Sequence, residues 1–384
     1  MTEWIECTLD KLGEIVGGAT PSTKCEDYYG GSIPWITPKD LSSFKGRYIT
    51  SGERNITEKG LASCSAQMMP KDAVLFTSRA PIGYVAIASQ SVCTNQGFKS
   101  IVVNEKADPL FVYYLLKYNK DAIEAMGSGT TFKEVSGKTM RAVKVRIPLD
   151  VSYQKRIAAV LDSLDTKIEN NERINDNLHQ QAATLFKALF VDLTLFDGTM
   201  PPNWTISTLG DATEMGAGGD KPKESSPVKT PLCPYPIYSN GINDYGLYGY
   251  TNDPKIKAES VTVSARGTIG YVCLRHTPYV PIVRLVTLIP DTKVLSAKYL
   301  YLYLRQLHIT GTGTTQQQLT VPDFRKTEII IPDKNTMDSF TETVTPLFEQ
   351  IWANEDENTK LAEVRDALLP KLMSGEIDVS DIQL

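Results

Sequence analysis

The 384-residue sequence predicts an α+β protein built twice over. Two mixed α/β, β-rich globular parts are separated by two long helices that pair as a coiled coil, with a pseudo-two-fold internal repeat. Three observations carry this expectation. A heptad seam runs through Ile157, Leu161, Leu164, Ile168, Asn171, Asn175, Leu178, Ala182, Leu185 and Leu189. It returns through Phe340, Val344, Leu347, Ile351, Asn354, Asn358, Leu361, Arg365, Leu368 and Leu372, each 183 positions after its counterpart. The two adjacent Asn interruptions recur at that offset, which a chance apolar run does not reproduce. The globular parts also echo each other: Trp4 with Thr8 and Leu9 returns as Trp204 with Thr208 and Leu209. Likewise Arg79 with IGYV returns as Arg266 with IGYV, and Gly127, Gly129, Thr130 and Thr131 return as Gly311, Gly313, Thr314 and Thr315.

Four segments follow: a globular part over 1–150, a helix over 151–197, a second globular part over 198–332 and a C-terminal helix over 333–384. In the first part VGGATPS, YYGGSIP, AVLFTS, GYVAIAS and KSIVVNE read as short strands between turns, and DPLFVYYLLKYNKDAIEAM as one helix with apolar spacing of three and four. The second part repeats the order through TPLCPYPIY, SVTVSARG, GYVCLRH, VRLVTLIP and the helix SAKYLYLYLRQL. A helix of about 40 residues is about 60 Å long, too long to bury its seam on its own small domain. Antiparallel pairing is favoured because it carries the globular parts to opposite ends. Seam partners then have numbers summing to 529, so Asn171 meets Asn358 and Asn175 meets Asn354 in a polar layer that resists slippage. A parallel pair also matches Asn with Asn, so the seam alone leaves direction open.

Composition narrows the function classes. No apolar stretch approaches the roughly 20 residues of a membrane span, and the opening residues lack a signal-peptide pattern, so a soluble cytoplasmic protein is expected. The six cysteines are scattered without a CxxC pair and only three histidines occur, which favours free thiols over disulfides or a zinc site. The net charge of −5 is unevenly spread. Residues 1–150 hold 18 basic and 16 acidic side chains and 198–332 hold 13 and 10, whereas 333–384 hold 4 and 12. Mildly basic globular parts suit phosphates, and acidic helices suit a protein partner.

Catalytic motifs are missing. SGKT at 136–139 ends like a phosphate loop, but Phe132 stands where its first glycine belongs, so a turn before a helix is the better reading. GAGGD at 216–220 lacks a clear preceding apolar strand. PDFRK at 322–326 opens like a nuclease core with no Asp/Glu-x-Lys after it, and His179, His276 and His308 are isolated. No catalytic residue and no metal site are assigned.

Recognition remains. FKEVSGKTMRAVKVRIP carries Lys133, Lys138, Arg141, Lys144 and Arg146 against Glu134 alone, and could lie along phosphates or form a solvated strand edge. SNGINDYGLYGYTND offers Asn240, Asn243, Tyr245, Tyr248 and Tyr250, which could reach base edges or fold into a self-packed turn. Arg79 and Arg266 share either a phosphate contact or a structural salt bridge.

TPSTKCEDYYGGSIPWITPKDL from Thr20, TSRAPIGYVAI from Thr77, TNQGFKSIVV from Thr94, the long block GSGTTFKEVSGKTMRAVKVRIPLDVSYQKRIAAVLDSLDTKIENNERINDNL from Gly127, and RGTIGYV from Arg266 resemble one family. They resemble the specificity subunit of type I restriction-modification enzymes, over essentially the full length. The resemblance implies two target recognition domains, each reading half of a bipartite asymmetric site in double-stranded DNA. It also implies an antiparallel helix pair that sets the spacing and docks methyltransferase subunits, two being expected, to which motor-nuclease restriction subunits add. S-adenosylmethionine, ATP and Mg are then expected in the partners and none in this chain, which itself catalyses nothing. The candidate DNA-binding residues are Lys24, Lys39, Arg79, Lys133, Lys138, Arg141, Lys144, Asn240, Asn243, Tyr245, Tyr248 and Arg266. The second half departs from the first at MGAGGDKPKES and IPDKNTMDSF, so its contacts are not carried over. The competing reading is a coiled-coil adaptor that does not bind DNA.

Overall fold

A computed structural model describes residues 3–129, 133–311 and 318–382. The echoes expected at Thr130, Thr131, Gly313, Thr314 and Thr315 lie outside the described residues. The chain divides into two compact units, Met1–Arg173 with Asn354–Leu384, and Ile174–Ala353. Each unit takes one globular part and a stretch of both long helices.

The first unit contains β1 (Trp4–Thr8), β2 (Gly13–Gly17), β3 (Tyr29–Ile36), α1 (Pro38–Ser42), β4 (Tyr48–Ile49), β5 (Arg54–Ile56), α2 (Glu58–Ala62), β6 (Val74–Ser78), β7 (Ile82–Ala88), β8 (Cys93–Thr94), β9 (Lys99–Val103), α3 (Pro109–Tyr118), α4 (Lys120–Ala125), α5 (Gly137–Ala142), β10 (Lys144–Pro148) and the start of α6 (Val151–Phe186). Its main sheet has the order β2-β9-β6-β7-β4, beside a sheet β5-β3-β8 and a pair β1-β10. Central β6 is buried along its whole length, which is why AVLFTS reads as a continuous apolar run. Helix α3 packs Phe111, Val112, Tyr114 and Leu115 into the core, and its first turn is fixed by Pro109 and by Asp108, which accepts from Phe111 N at 3.0 Å. The helix expected to run through Met126 breaks at Asn119, whose side-chain amide donates to Leu115 O at 2.8 Å and ends α3.

The second unit begins within α6 and contains β11 (Thr205–Thr208), α7 (Leu209–Ala212), β12 (Thr213–Ala217), β13 (Ser225–Ser226), β14 (Tyr235–Tyr238), β15 (Leu247–Thr251), β16 (Ser260–Val263), β17 (Val272–Arg275), β18 (Val280–Pro281), β19 (Val286–Pro290), α8 (Ala297–Gln306), α9 (Val321–Phe324), β20 (Glu328–Ile331) and the first part of α10 (Lys334–Ser374). Its sheets run β12-β19-β16-β17, β13-β15-β14-β18 and β11-β20. Strand for strand the main sheet is that of the first unit without edge strand β4. The parallel pair β3-β8 recurs as β14-β18. The duplication thus extends to the topology, where the sequence echoes are sparse.

Within each unit the long helices run antiparallel. In the first, Asn171 donates to Asn358 Oδ1 at 2.9 Å and to Glu357 at 2.7 Å, while Asp165 pairs with Arg365 at 2.7 Å. In the second, Asn175 donates to Ile351 O at 3.3 Å, and Phe186 stacks edge-on against Phe340 with centroids 6.0 Å apart. Asn171, Asn175 and Asn354 are buried, as a polar layer requires. The seam departs from expectation past Ala182. Leu185 is 36% exposed, whereas Phe186 and Phe190 are buried. A straight helix at 3.6 residues per turn drifts from a 3.5 repeat, and the shift by one residue is complete at Phe186, before the wide turn at Lys187–Val191.

The tryptophans that open the globular parts have matching supports. Trp204 lies between Phe190 and Phe196 (centroids 5.6 and 5.1 Å), in the segment after α6. Trp4 meets Tyr153 and Gly375, beside the tail after α10, where Tyr153 Oη donates to Asp378 at 2.9 Å and Val379 is buried.

Candidate nucleic-acid interface

Backbone hydrogen bonds draw five loops of the first unit to one end of its main sheet. Ala19 N donates to Thr94 O (3.0 Å), Asn95 N to Ile36 O (2.9 Å), Ser78 N to Gly97 O (2.7 Å) and Val135 N to Ser78 O (2.9 Å). Gly18 is required here, since a Cβ would fall 2.0 Å from Asn95 O. The second unit rebuilds this hub: Ile282 N donates to Tyr238 O (2.9 Å), Leu319 N to Ala265 O (3.0 Å) and Gly218 N to Leu285 O (2.8 Å). A Cβ on Gly218 would meet Ile282 N at 2.7 Å. The central glycine of GAGGD, Gly218, therefore serves backbone approach.

The expected cations separate by environment. On the first hub Lys24 sits on an exposed turn, Lys133 on the loop before α5, and Lys138 and Arg141 on α5. All four are exposed and outside any ion pair among the described residues. Ser136 caps α5, accepting from Thr139 N at 3.0 Å, which confirms SGKT as a helix start. Lys39 is exposed on α1 and bound to Glu53 at 2.7 Å. Lys144 projects from β10 and pairs with Glu6 on β1 at 3.1 Å, and Arg146 donates to Ser374 O at 3.0 Å. The basic run expected to lie along phosphates is thus broken. Its first three cations belong to the hub loop and helix, and the last two to a strand whose outward side chains are tied to β1 and the end of α10.

Arg79 and Arg266 share a structural contact. Arg79 pairs with Glu134 at 3.5 Å, and Arg266 donates to Gln318 at 3.0 and 3.2 Å, the two acceptors lying just before α5 and α9. Glu134 also holds Lys99 at 3.6 Å, a hub cation that the sequence reading overlooked. In the second unit the acceptor is a neutral amide, which does not offset the arginine's charge as Glu134 does.

The tyrosine-rich loop is ordered by Asn240. Its amide donates to Val283 O at 2.6 Å and accepts from Ala265 N at 2.8 Å, so both ends of the side chain are used in holding loops together. That leaves Asn243, Tyr245 and Tyr248 as the exposed members, with Tyr245 54% exposed. Asp244 and Tyr245 take left-handed backbone angles (φ 46° and 55°), and Arg275 donates to Tyr245 O at 2.7 Å to hold that turn. Lys221 lies over the Tyr248 ring at 5.2 Å, and Arg284 is exposed on the adjoining loop. Lys221 and Arg284 carried no motif and were not singled out from sequence.

Two hubs of the same backbone design and different side chains agree with a duplicated recognition module. A family model for the type I restriction modification DNA specificity domain matches residues 1–180 and again 201–363. The chain belongs to this family. Among its relatives, the specificity subunit of the MjaIX type I restriction enzyme from Methanocaldococcus jannaschii is 34% identical over 415 residues, covering 99% of this chain and 95% of the relative. The HindI specificity subunit of Haemophilus influenzae is 25% identical, covering 73% and 80%. Among solved structures, the specificity-family fold recurs in the type I restriction-modification S subunit from M. genitalium, with TM-score 0.62, 17% identity, and coverage of 97% of this chain and 96% of that one. Among the described residues no helix is long and apolar enough to cross a membrane, and no group of His, Cys, Asp and Glu could hold a metal ion.

Proposed function

We propose that this chain is the DNA-reading specificity subunit of a type I restriction-modification complex, with each globular part reading one half of a bipartite, asymmetric site. The hub recurring in both units with different side chains carries this reading, because a shared frame with divergent loops suits two unlike half-sites. In the first unit Lys24, Lys133, Lys138 and Arg141 supply phosphate contacts. In the second, Arg266, Lys221 and Arg284 do so, while Asn243, Tyr245 and Tyr248 face base edges. Arg79, Lys39, Lys144 and Asn240 hold the frame that presents them. The helix pair sets the half-site spacing, and its acidic face docks two methyltransferase subunits, to which restriction subunits add. S-adenosylmethionine, ATP and Mg belong to those partners, and catalysis with them. The two family matches favour this reading over a DNA-independent adaptor.

The test is single-molecule sequencing for N6-methyladenine in cells expressing the chain with its methyltransferase. One interrupted asymmetric motif that disappears when this chain is omitted is the expected result. A stable complex with no methylated motif refutes the reading.

A further inference from the structure

The first unit buries a guanidinium that the recognition reading does not use. Arg47, on the loop between α1 and β4, is 5% exposed and faces α6. Its Nε lies 3.3 Å from Asp162, and its Nη2 donates to Thr166 at 2.8 Å and to Glu169 at 3.3 Å. Asp165, 3.9 Å from Nη1, also accepts from Tyr114 Oη at 2.7 Å and Arg365 at 2.7 Å. Glu169 accepts from the backbone of Arg47 as well (3.2 Å), and Lys45 reaches Glu172 at 3.6 Å. Burial opposes the charge on Arg47, but the carboxylates of Asp162, Glu169 and Asp165 outweigh it and its pKa is raised, so it stays protonated.

The position of this cluster along α6 is informative. The globular part is rooted at Gln154, which accepts from Asp108 N at 3.0 Å and donates to Pro148 O at 2.9 Å. Its apolar contact with α6 reaches Leu161. The Arg47 loop extends the attachment to Glu169, 15 residues and about 22 Å from Gln154. Tyr114 on α3 already holds Asp165, so the Arg47 loop adds the outermost turn of the attachment, and that turn resists tilt about the inner one. The second unit uses the matching register position, since Trp352 stands 183 residues after Glu169. There His276 stacks on Trp352 with centroids 4.1 Å apart, and Lys298, paired with Glu259 at 2.8 Å, lies over the ring at 5.5 Å. One position of the duplicated helix thus holds each globular part, by an ionic fork in one unit and an aromatic stack in the other.

We propose that Arg47, through Asp162, Thr166 and Glu169, is a positioning residue that fixes the angle of the first recognition domain on α6 and so makes the complex selective for one spacer length. This rests on the specificity reading above. One base pair is a step of about 3.4 Å, which a tilt of about 9° on a 22 Å lever covers. Each base pair also turns the half-site by about 34°, so release of the fork admits single-step neighbours only.

The experiment uses the full chain with its methyltransferase on a plasmid library carrying both half-sites at every spacer length. The wild type methylates one spacer. Arg47→Met keeps both half-site sequences, while methylation at spacers one base pair longer and shorter rises on the order of tenfold, the scale of a typical coupling between sites. Glu169→Gln keeps Arg47 with Asp162 and Asp165 and relaxes the spacer less, and it decides the matter if the Arg47 variant does not accumulate. Retention of a single spacer, at full or uniformly reduced methylation, overturns the proposal. A wild type with no interrupted motif overturns the specificity reading and this proposal with it.

Discussion

Lengthening both helices where the two units divide isolates the spacing role of the helix pair. One heptad is inserted after Arg173 in α6 and one after Ala353 in α10. The contacts of Asn171 with Asn358 and of Asn175 with Ile351 O bracket these points, so the inserted heptads face each other and each unit keeps its own contacts. Seven residues add about 10 Å and turn the helix by only about 20° from its starting phase, which keeps the seam facing its partner. At about 3.4 Å per base pair the preferred spacer lengthens by at most about three base pairs, a limit reached by a helix parallel to the DNA. The assay is methylation of a plasmid series with graded spacers, with complex assembly checked by size-exclusion chromatography. A heptad in α6 alone puts the polar residues Asn171 and Asn175 out of register and should abolish assembly. If the double insertion assembles, methylates and keeps the original spacer, the helix pair does not set the distance.

Lys138→Gln with Arg141→Gln should weaken binding to every sequence alike and make the log-affinity against log-salt slope shallower by about two, leaving the motif unchanged. Titrations at several salt concentrations check this, and an unaltered slope removes both residues from the interface. Phe186→Ala, at a fully buried aromatic cluster, should cost about 3–5 kcal/mol, against about 0.5 kcal/mol or less for Leu185→Ala beside it. Urea unfolding compares them, and equal costs would restore the strict heptad seam. The pKa of His179 is lowered from 6.5 by burial and by Arg305, so the folded state holds it neutral. Its contribution is present above pH 6.5 and lost as pH falls through the lower folded value, so stability should decline faster with acid in the wild type than in His179→Gln. Parallel thermal melts between pH 7 and pH 5 with equal slopes would contradict this.

Much of the architecture was legible because it repeats. The seam from Ile157 and its copy from Phe340, with Asn171 and Asn175 echoed by Asn354 and Asn358, defined the two helices and their polar layer but not their direction, since a periodic pattern is a local property of the chain. Strands β6, β7, β9, β16, β17 and β19 were visible as apolar runs for the same reason, whereas β1, β10, β11 and β20, and β15 inside the tyrosine-rich loop, were not. The slip from Leu185 to Phe186 was not, because it depends on accumulated helical drift and on which side chain the aromatic cluster around Tyr299 and Phe340 accepts. Of the candidate interface, the composition of two loops could be read but not their duties. Asn240 looked like a base-reading amide and holds loops together, while Arg79 and Arg266, matched in sequence, proved to share a structural contact.

By itself the sequence determined the family, the duplication and the two-helix frame, because residue identity at fixed spacing is enough to specify each. Tertiary structure alone decided which cations stay exposed and which are tied down, and it brought Arg47 to Asp162, Thr166 and Glu169 from more than a hundred positions away. Such contacts join elements whose separation along the chain bears no relation to their distance in space, and a lone arginine in FKGRYI carries no local mark of the carboxylates it will meet.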